Sequence, residues 1–68
     1  MRDLAKRVEQ ITEVALEKVA EARQKYAHEN LVGVGVISLA DMYSRELKLD
    51  SFDSETFRII FRHHYLPR

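Results

Sequence analysis

Histidine, serine, arginine and glycine are the residues of this chain whose chemistry goes beyond packing. His63 and His64 are adjacent, and His28 is the third and last imidazole. Neighbouring residues on a helix point about 100° apart, so this pair cannot close on one ion by itself. A zinc site needs three or four converging ligands, and the chain has no cysteine and no His-Glu-x-x-His pair. We therefore expect no metal and no cofactor. His64 falls within an apolar arc, which suits a core or boundary histidine satisfied by a carbonyl or water better than a pH switch. Ser38, Ser44, Ser51 and Ser54 fall near predicted helix ends or at exposed positions, where capping accounts for a serine. Nucleophilic catalysis needs a base, a group to orient it and a pocket that excludes water, and 68 residues leave little volume for one. No catalytic residue is assigned, and the expectation is a protein that is not an enzyme. Gly33-Val34-Gly35-Val36-Ile37-Ser38 has the look of a phosphate loop. The dinucleotide fingerprint, however, follows a strand inside a βαβ unit, and here a long helix precedes it. The glycines are read as turn geometry or close packing.

Charge is balanced overall, eleven Lys and Arg against eleven Asp and Glu, but it is unevenly placed. Glu9, Glu13, Glu17 and Glu21 recur every fourth residue, a spacing at which like charges cost about 0.2–0.5 kcal/mol per pair. This is read as a solvated acidic face, with Arg58 and Arg62 as the bases able to oppose it. Residues 41–55 carry five acids against two bases, whereas residues 56–68 carry Arg58, Arg62 and Arg68 and no acid. The neutral total argues against a surface that binds polyanions everywhere. An amphipathic C-terminal helix lying on a membrane would need more basic residues on its polar side than three arginines.

The elements that must position these groups are helical. Arg2 to about His28 has no Gly or Pro, and Leu4, Val8, Ile11, Ala15, Val19, Ala22 and Tyr26 fall within an arc of about 80°. The spacing predicts one straight helix with a single partner face, and Val14 and Leu16, outside the arc, hint at a second contact. Residues 29–37, where two glycines interleave with β-branched residues, are read as a turn plus a short extended stretch, the rival being a helix running on from Leu31. A second helix is predicted from Ser38, capped by Ser38 with Asp41 at capping-box spacing, its face formed by Leu39, Tyr43 and Leu47 beside Ala40 and Met42. A third is predicted from Asp53 as cap, with Phe52 and Phe57 as a hydrophobic staple, ending before Pro67. On it Phe57, Ile60, Phe61, His64 and Tyr65 share one arc, while Ile59 and Leu66 lie opposite.

The expected fold is therefore all-α: one long N-terminal helix followed by two shorter ones, in a single small domain over residues 1–68 that oligomerises. A core this small rarely supplies more than about 3–5 kcal/mol, and no disulfide can add to it. A helix apolar on two sides is usually buried between partners. The favoured function is a non-catalytic protein-protein interaction or oligomerisation module, such as a small adaptor, inhibitor or regulatory subunit. Its partner would be a second copy or another protein, with Leu4, Ile11, Val19, Tyr26, Phe57, Ile59, Phe61 and Leu66 at the interface. No apolar run approaches the roughly 20 residues of a membrane span, and no segment reads as a cleaved signal peptide, so a cytoplasmic location is expected.

From Ser38 onward the chain also resembles the helix-turn-helix of AraC-type transcription regulators. The resemblance rests on Ser38-Leu39-Ala40-Asp41, on Arg45-Glu46-Leu47-Lys48-Leu49 and on the run Asp53 to Tyr65 with Phe57 and Phe61. It covers less than half of the chain. Ser44 stands where the family commonly has Ala, Lys48 where it usually has Gly, and Asp50-Ser51-Phe52 lengthens the turn. The resemblance implies DNA as the alternative partner, with the third helix in the major groove. Arg58 and Arg62 would then contact phosphates or guanine edges, with Ser54, Thr56 and His63 as neighbours.

Overall fold

The computed structural model describes residues 2–26 and 34–65, with side chains placed for residues 4–26 and 35–65. Three helices make up the described chain: α1 (Arg2–Lys25), α2 (Val34–Glu46) and α3 (Ser51–Tyr65). The all-α order of one long helix and two shorter ones is as the sequence predicts, and no strand occurs among the described residues.

The core lies along the α1 stripe. Ile11, Ala15, Val19 and Ala22 are buried there with Val36, Leu39, Ala40 and Tyr43 of α2 and Phe57 and Phe61 of α3. Alanine at positions 15 and 22 leaves room for the bulky rings that α3 brings. Phe61 is the hub of these rings, with Tyr43, Phe57 and Tyr65 at centroid distances of 5.7, 5.8 and 5.5 Å. Such tilted and stacked pairs contribute roughly 0.5–1.5 kcal/mol each beyond the area they bury. Helices α1 and α3 run in the same direction: Arg7 reaches Asp50 and Asp53 at the start of α3, and Arg23 reaches the His64 carbonyl near its end.

Five sequence expectations need correcting. Helix α1 stops at Lys25, with Tyr26 in a turn whose N–H donates to the Ala22 carbonyl at 2.8 Å, and residues 27 and 28 lie outside the described residues. Residues 34–37 are not extended but form the first turn of α2, because Val36 completes a buried stripe with Leu39, Ala40 and Tyr43. That burial outweighs the helix-propensity cost of Gly35, about 1 kcal/mol. Ser38 is thus an exposed residue inside the helix, not its cap. Finally, α3 begins at Ser51 under Asp50, whose Oδ1 accepts from the Asp53 N–H at 2.9 Å, so Asp53 is capped where it was expected to cap. With the start moved, Phe52 lies in the first turn, 43% exposed, and forms no staple with the buried Phe57.

Candidate protein-interaction surface

Helix α3 is set on the core by a tight corner and by two arginines of α1. At the corner, Lys48 has φ 56°, the left-handed region that favours glycine. The Leu49 N–H donates back to the Ser44 carbonyl at 3.4 Å, and the Lys48 N–H to the Arg45 carbonyl at 3.1 Å. This is the Schellman pattern for closing a helix, with Leu49 folded against the core as its apolar contact. The buried Ser44 donates its Oγ proton to the Asp41 carbonyl at 2.9 Å, so its polar atom is satisfied within α2. One residue beyond Leu49, Asp50 caps α3; only residues 47–50 separate the two helices, so the turn is not lengthened.

The start of α3 is then held by Arg7. Its Nη2 donates to Asp50 Oδ2 at 3.1 Å and to Asp53 Oδ1 at 3.0 Å, and its guanidinium lies 5.0 Å from the Phe52 ring centroid. At the other end, Arg23 Nη2 donates to the His64 carbonyl at 2.7 Å, and the guanidinium carbon lies 5.9 Å from the Tyr65 ring centroid. A cation at a helix C-terminus also suits the helix dipole. Between them, Lys18 lies 5.5 Å from the Tyr43 ring and pairs with Glu21 at 3.2 Å, and that hydrogen bond holds the Glu21 carboxyl below the usual range. The Tyr43 hydroxyl is buried and makes no hydrogen bond of ordinary geometry among the described residues. Burial pushes its pKa up to about 12, and the Glu21 charge adds to that.

With its inner face fixed, α3 turns a second face outward. Ile59 is 54% exposed, on the side opposite buried Phe57 and Phe61, and Phe52 lies two turns before it on the same side. Glu55 and His63 are exposed around Ile59, and Arg62 and Thr56 are half-buried beside it. Glu55 and Arg62 make no ion pair among the described residues. On α1, Leu4 is 52% exposed, and Val8 and Leu16 are also exposed. The α1 stripe thus runs on for two turns beyond what α3 covers.

The expected interface residues therefore divide. Ile11, Val19, Phe57 and Phe61 are buried in the chain's own core and are not free for a partner. Tyr26 is half-buried against that core. Leu4 and Ile59 face outward, and Leu66 lies outside the described residues. His64 is exposed, contrary to its place on the apolar arc, because Tyr65 rather than His64 continues the Phe57-Phe61 ring stack. Phe52 and Leu16 are exposed apolar residues that the expected interface omits. Phe52 carried no such signal in the sequence, since its place on α3 follows from the helix start at Ser51.

Of the residues expected at DNA, Thr56, Arg62 and His63 lie beside Ile59 on the outward face of α3, while Arg58 lies on the flank toward α2. Arg58 Nη1 lies 3.9 Å from Asp41, a carboxylate shared with Arg45 at 2.5 Å. Ser54, Thr56 and Arg62 are half-buried, and His63 is exposed with its ring 5.0 Å from that of His64. The acidic stripe of Glu9, Glu13, Glu17 and Glu21 faces solvent, with Glu21 paired to Lys18 and not to either arginine of α3. Among the described residues no group of three His, Asp or Glu side chains is arranged to hold a metal ion, and no helix is long and apolar enough to cross a membrane. No family model matches the chain, and no curated protein or solved structure matches it either.

Proposed function

We propose that the chain is a non-catalytic helical module that binds another protein surface, serving as a small adaptor, inhibitor or regulatory subunit. The observation that carries this reading is Ile59, more than half exposed on a helix whose other side forms the aromatic core. A lone exposed isoleucine needs no explanation. Here Phe52 shares its face, on a helix whose opposite side is held in the core by Phe57 and Phe61, so the two are presented together. Preorganised apolar residues with charged neighbours are what a protein partner recognises.

The alternative, a helix-turn-helix regulator, draws support from the corner. Lys48 adopts the left-handed turn conformation at the position where AraC-type proteins have Gly, and the turn between the helices is short. The outward face of α3 opposes it. A recognition helix presents donors and cations to base edges and phosphates; this face does carry Thr56, Arg62 and His63, but it interleaves them with the exposed Phe52, Glu55 and Ile59 and lies beside the acids Asp50 and Asp53.

The test is a photoreactive amino acid placed at position 59, with position 13 on the acidic face of α1 as control, irradiated in living cells. Crosslinks to protein, formed at 59 and not at 13, are the expected result. Crosslinks to nucleic acid, or equal yields at both positions, would overturn the reading.

A further inference from the structure

We infer that the outward face of α3 pairs with the same face of a second copy, the two helices running antiparallel across a two-fold axis near Ile59. The inference rests on the interaction reading above and names the partner. A two-fold contact must be self-complementary, because rotation about the axis makes residue i of one copy meet residue j of the other wherever j meets i. On this face the charges are arranged in that way. Glu55 lies one turn before Ile59, and Arg62 lies about one turn after it. Antiparallel pairing about Ile59 brings Glu55 of each chain to Arg62 of the other, and Phe52 of each toward the far end of its counterpart. Parallel pairing would instead set Glu55 against Glu55 and Arg62 against Arg62.

The charges are also available. Glu55 and Arg62 have no ion-pair partner among the described residues, while Arg58, on the flank toward α2, is already beside Asp41. The contact is small, since a helix of 15 residues is about 22 Å long and covers less than the ~800 Å² per partner of a standard interface. The expected dimer is therefore weak and depends on concentration.

Sedimentation of charge-reversed variants, alone and mixed, tests this. Wild-type protein is expected to shift from one chain toward two as its concentration rises. Glu55→Lys places lysine against Arg62 of the second copy, and Arg62→Glu places glutamate against Glu55, so each variant alone should remain a single chain at concentrations where the wild type pairs. An equimolar mixture should pair again, because both contacts in the mixed dimer then join opposite charges. Circular dichroism of each variant confirms that it remains helical, and Glu55→Gln, which carries no reversed charge, serves if either reversal unfolds the chain; its pairing should be weaker than wild type. A wild type that stays one chain at every concentration, or a mixture that pairs no better than its components, would overturn the inference. If crosslinking at position 59 then captured a different protein, self-pairing would fail while the interaction reading stood.

Discussion

At the residue scale, two side chains sit in environments that work against them. Lys48 holds a left-handed backbone angle that costs a residue with a Cβ roughly 1–2 kcal/mol. Part of the gain from replacing it is offset by the greater freedom of glycine in the unfolded chain. Lys48→Gly is therefore expected to raise stability by about 1 kcal/mol, or roughly 4–8 °C in melting temperature for a domain of this size, as read by thermal circular dichroism. Tyr43 is the second case, with a buried hydroxyl that makes no ordinary hydrogen bond among the described residues. Removing a buried hydroxyl that has no hydrogen bond of ordinary geometry, while keeping the ring, should leave stability at or slightly above wild type. Its titration gives a second signature. The unfolded tyrosine loses its proton near pH 10, whereas burial holds the folded group protonated up to about 12. The associated stability is complete below pH 10 and is lost as pH rises through about 12. Denaturant titrations at pH 9 and pH 11 should show a smaller loss for Tyr43→Phe than for the wild type; an equal loss would mean that the hydroxyl is not held protonated.

At the element scale, the decisive contacts sit at helix ends. Asp50 caps α3 and also accepts from Arg7, so Asp50→Ala should cost about 1–2 kcal/mol. Arg7→Ala should cost less, about 0.5 kcal/mol, because the guanidinium and Asp50 are both well exposed. Urea denaturation of the two variants checks this order, and a larger loss for Arg7→Ala would mean that the clamp, not the cap, holds α3. These ends mark what was legible in the sequence. The stripe Ile11-Ala15-Val19-Ala22 and the pair Phe57-Phe61 were readable because burial imposes a 3.6-residue period. The start of α2 was not, because Gly35 and the β-branched Val36 and Ile37 argue locally against helix, and only the tertiary burial of Val36 decides for it. The start of α3 was misplaced because Asp50 and Asp53 are both good caps, and the choice depends on where the preceding helix turns off at Lys48. For the candidate surface, the opposition of Ile59 to the aromatic face was readable from periodicity. Which apolar residues the chain keeps for its own core was not, since a stripe does not say whether α3 or a partner covers it.

At the scale of the whole molecule, one small core holds the fold, and the outward face of α3 is where the proposed contact would form. Phe61 touches Tyr43, Phe57 and Tyr65, and Phe61→Ala should cost about 3–5 kcal/mol, comparable to the total stability of a domain this small. That variant should lose its cooperative thermal transition. Ile59→Asp should stay folded, melting only slightly below the wild type at dilution where the wild type is a single chain, since Ile59 is more than half exposed and the new acid, one turn after Glu55, costs a few tenths of a kcal/mol. The most direct test of the account is sedimentation velocity of wild type and Ile59→Asp over a wide concentration range, with labelled duplex DNA present at low and moderate salt. The account predicts that the wild type moves toward two chains while Ile59→Asp remains one folded chain, and that the DNA boundary does not shift in either case. A wild type and variant that sediment alike at every concentration, or DNA that moves faster with protein and slows again as salt rises, would contradict it.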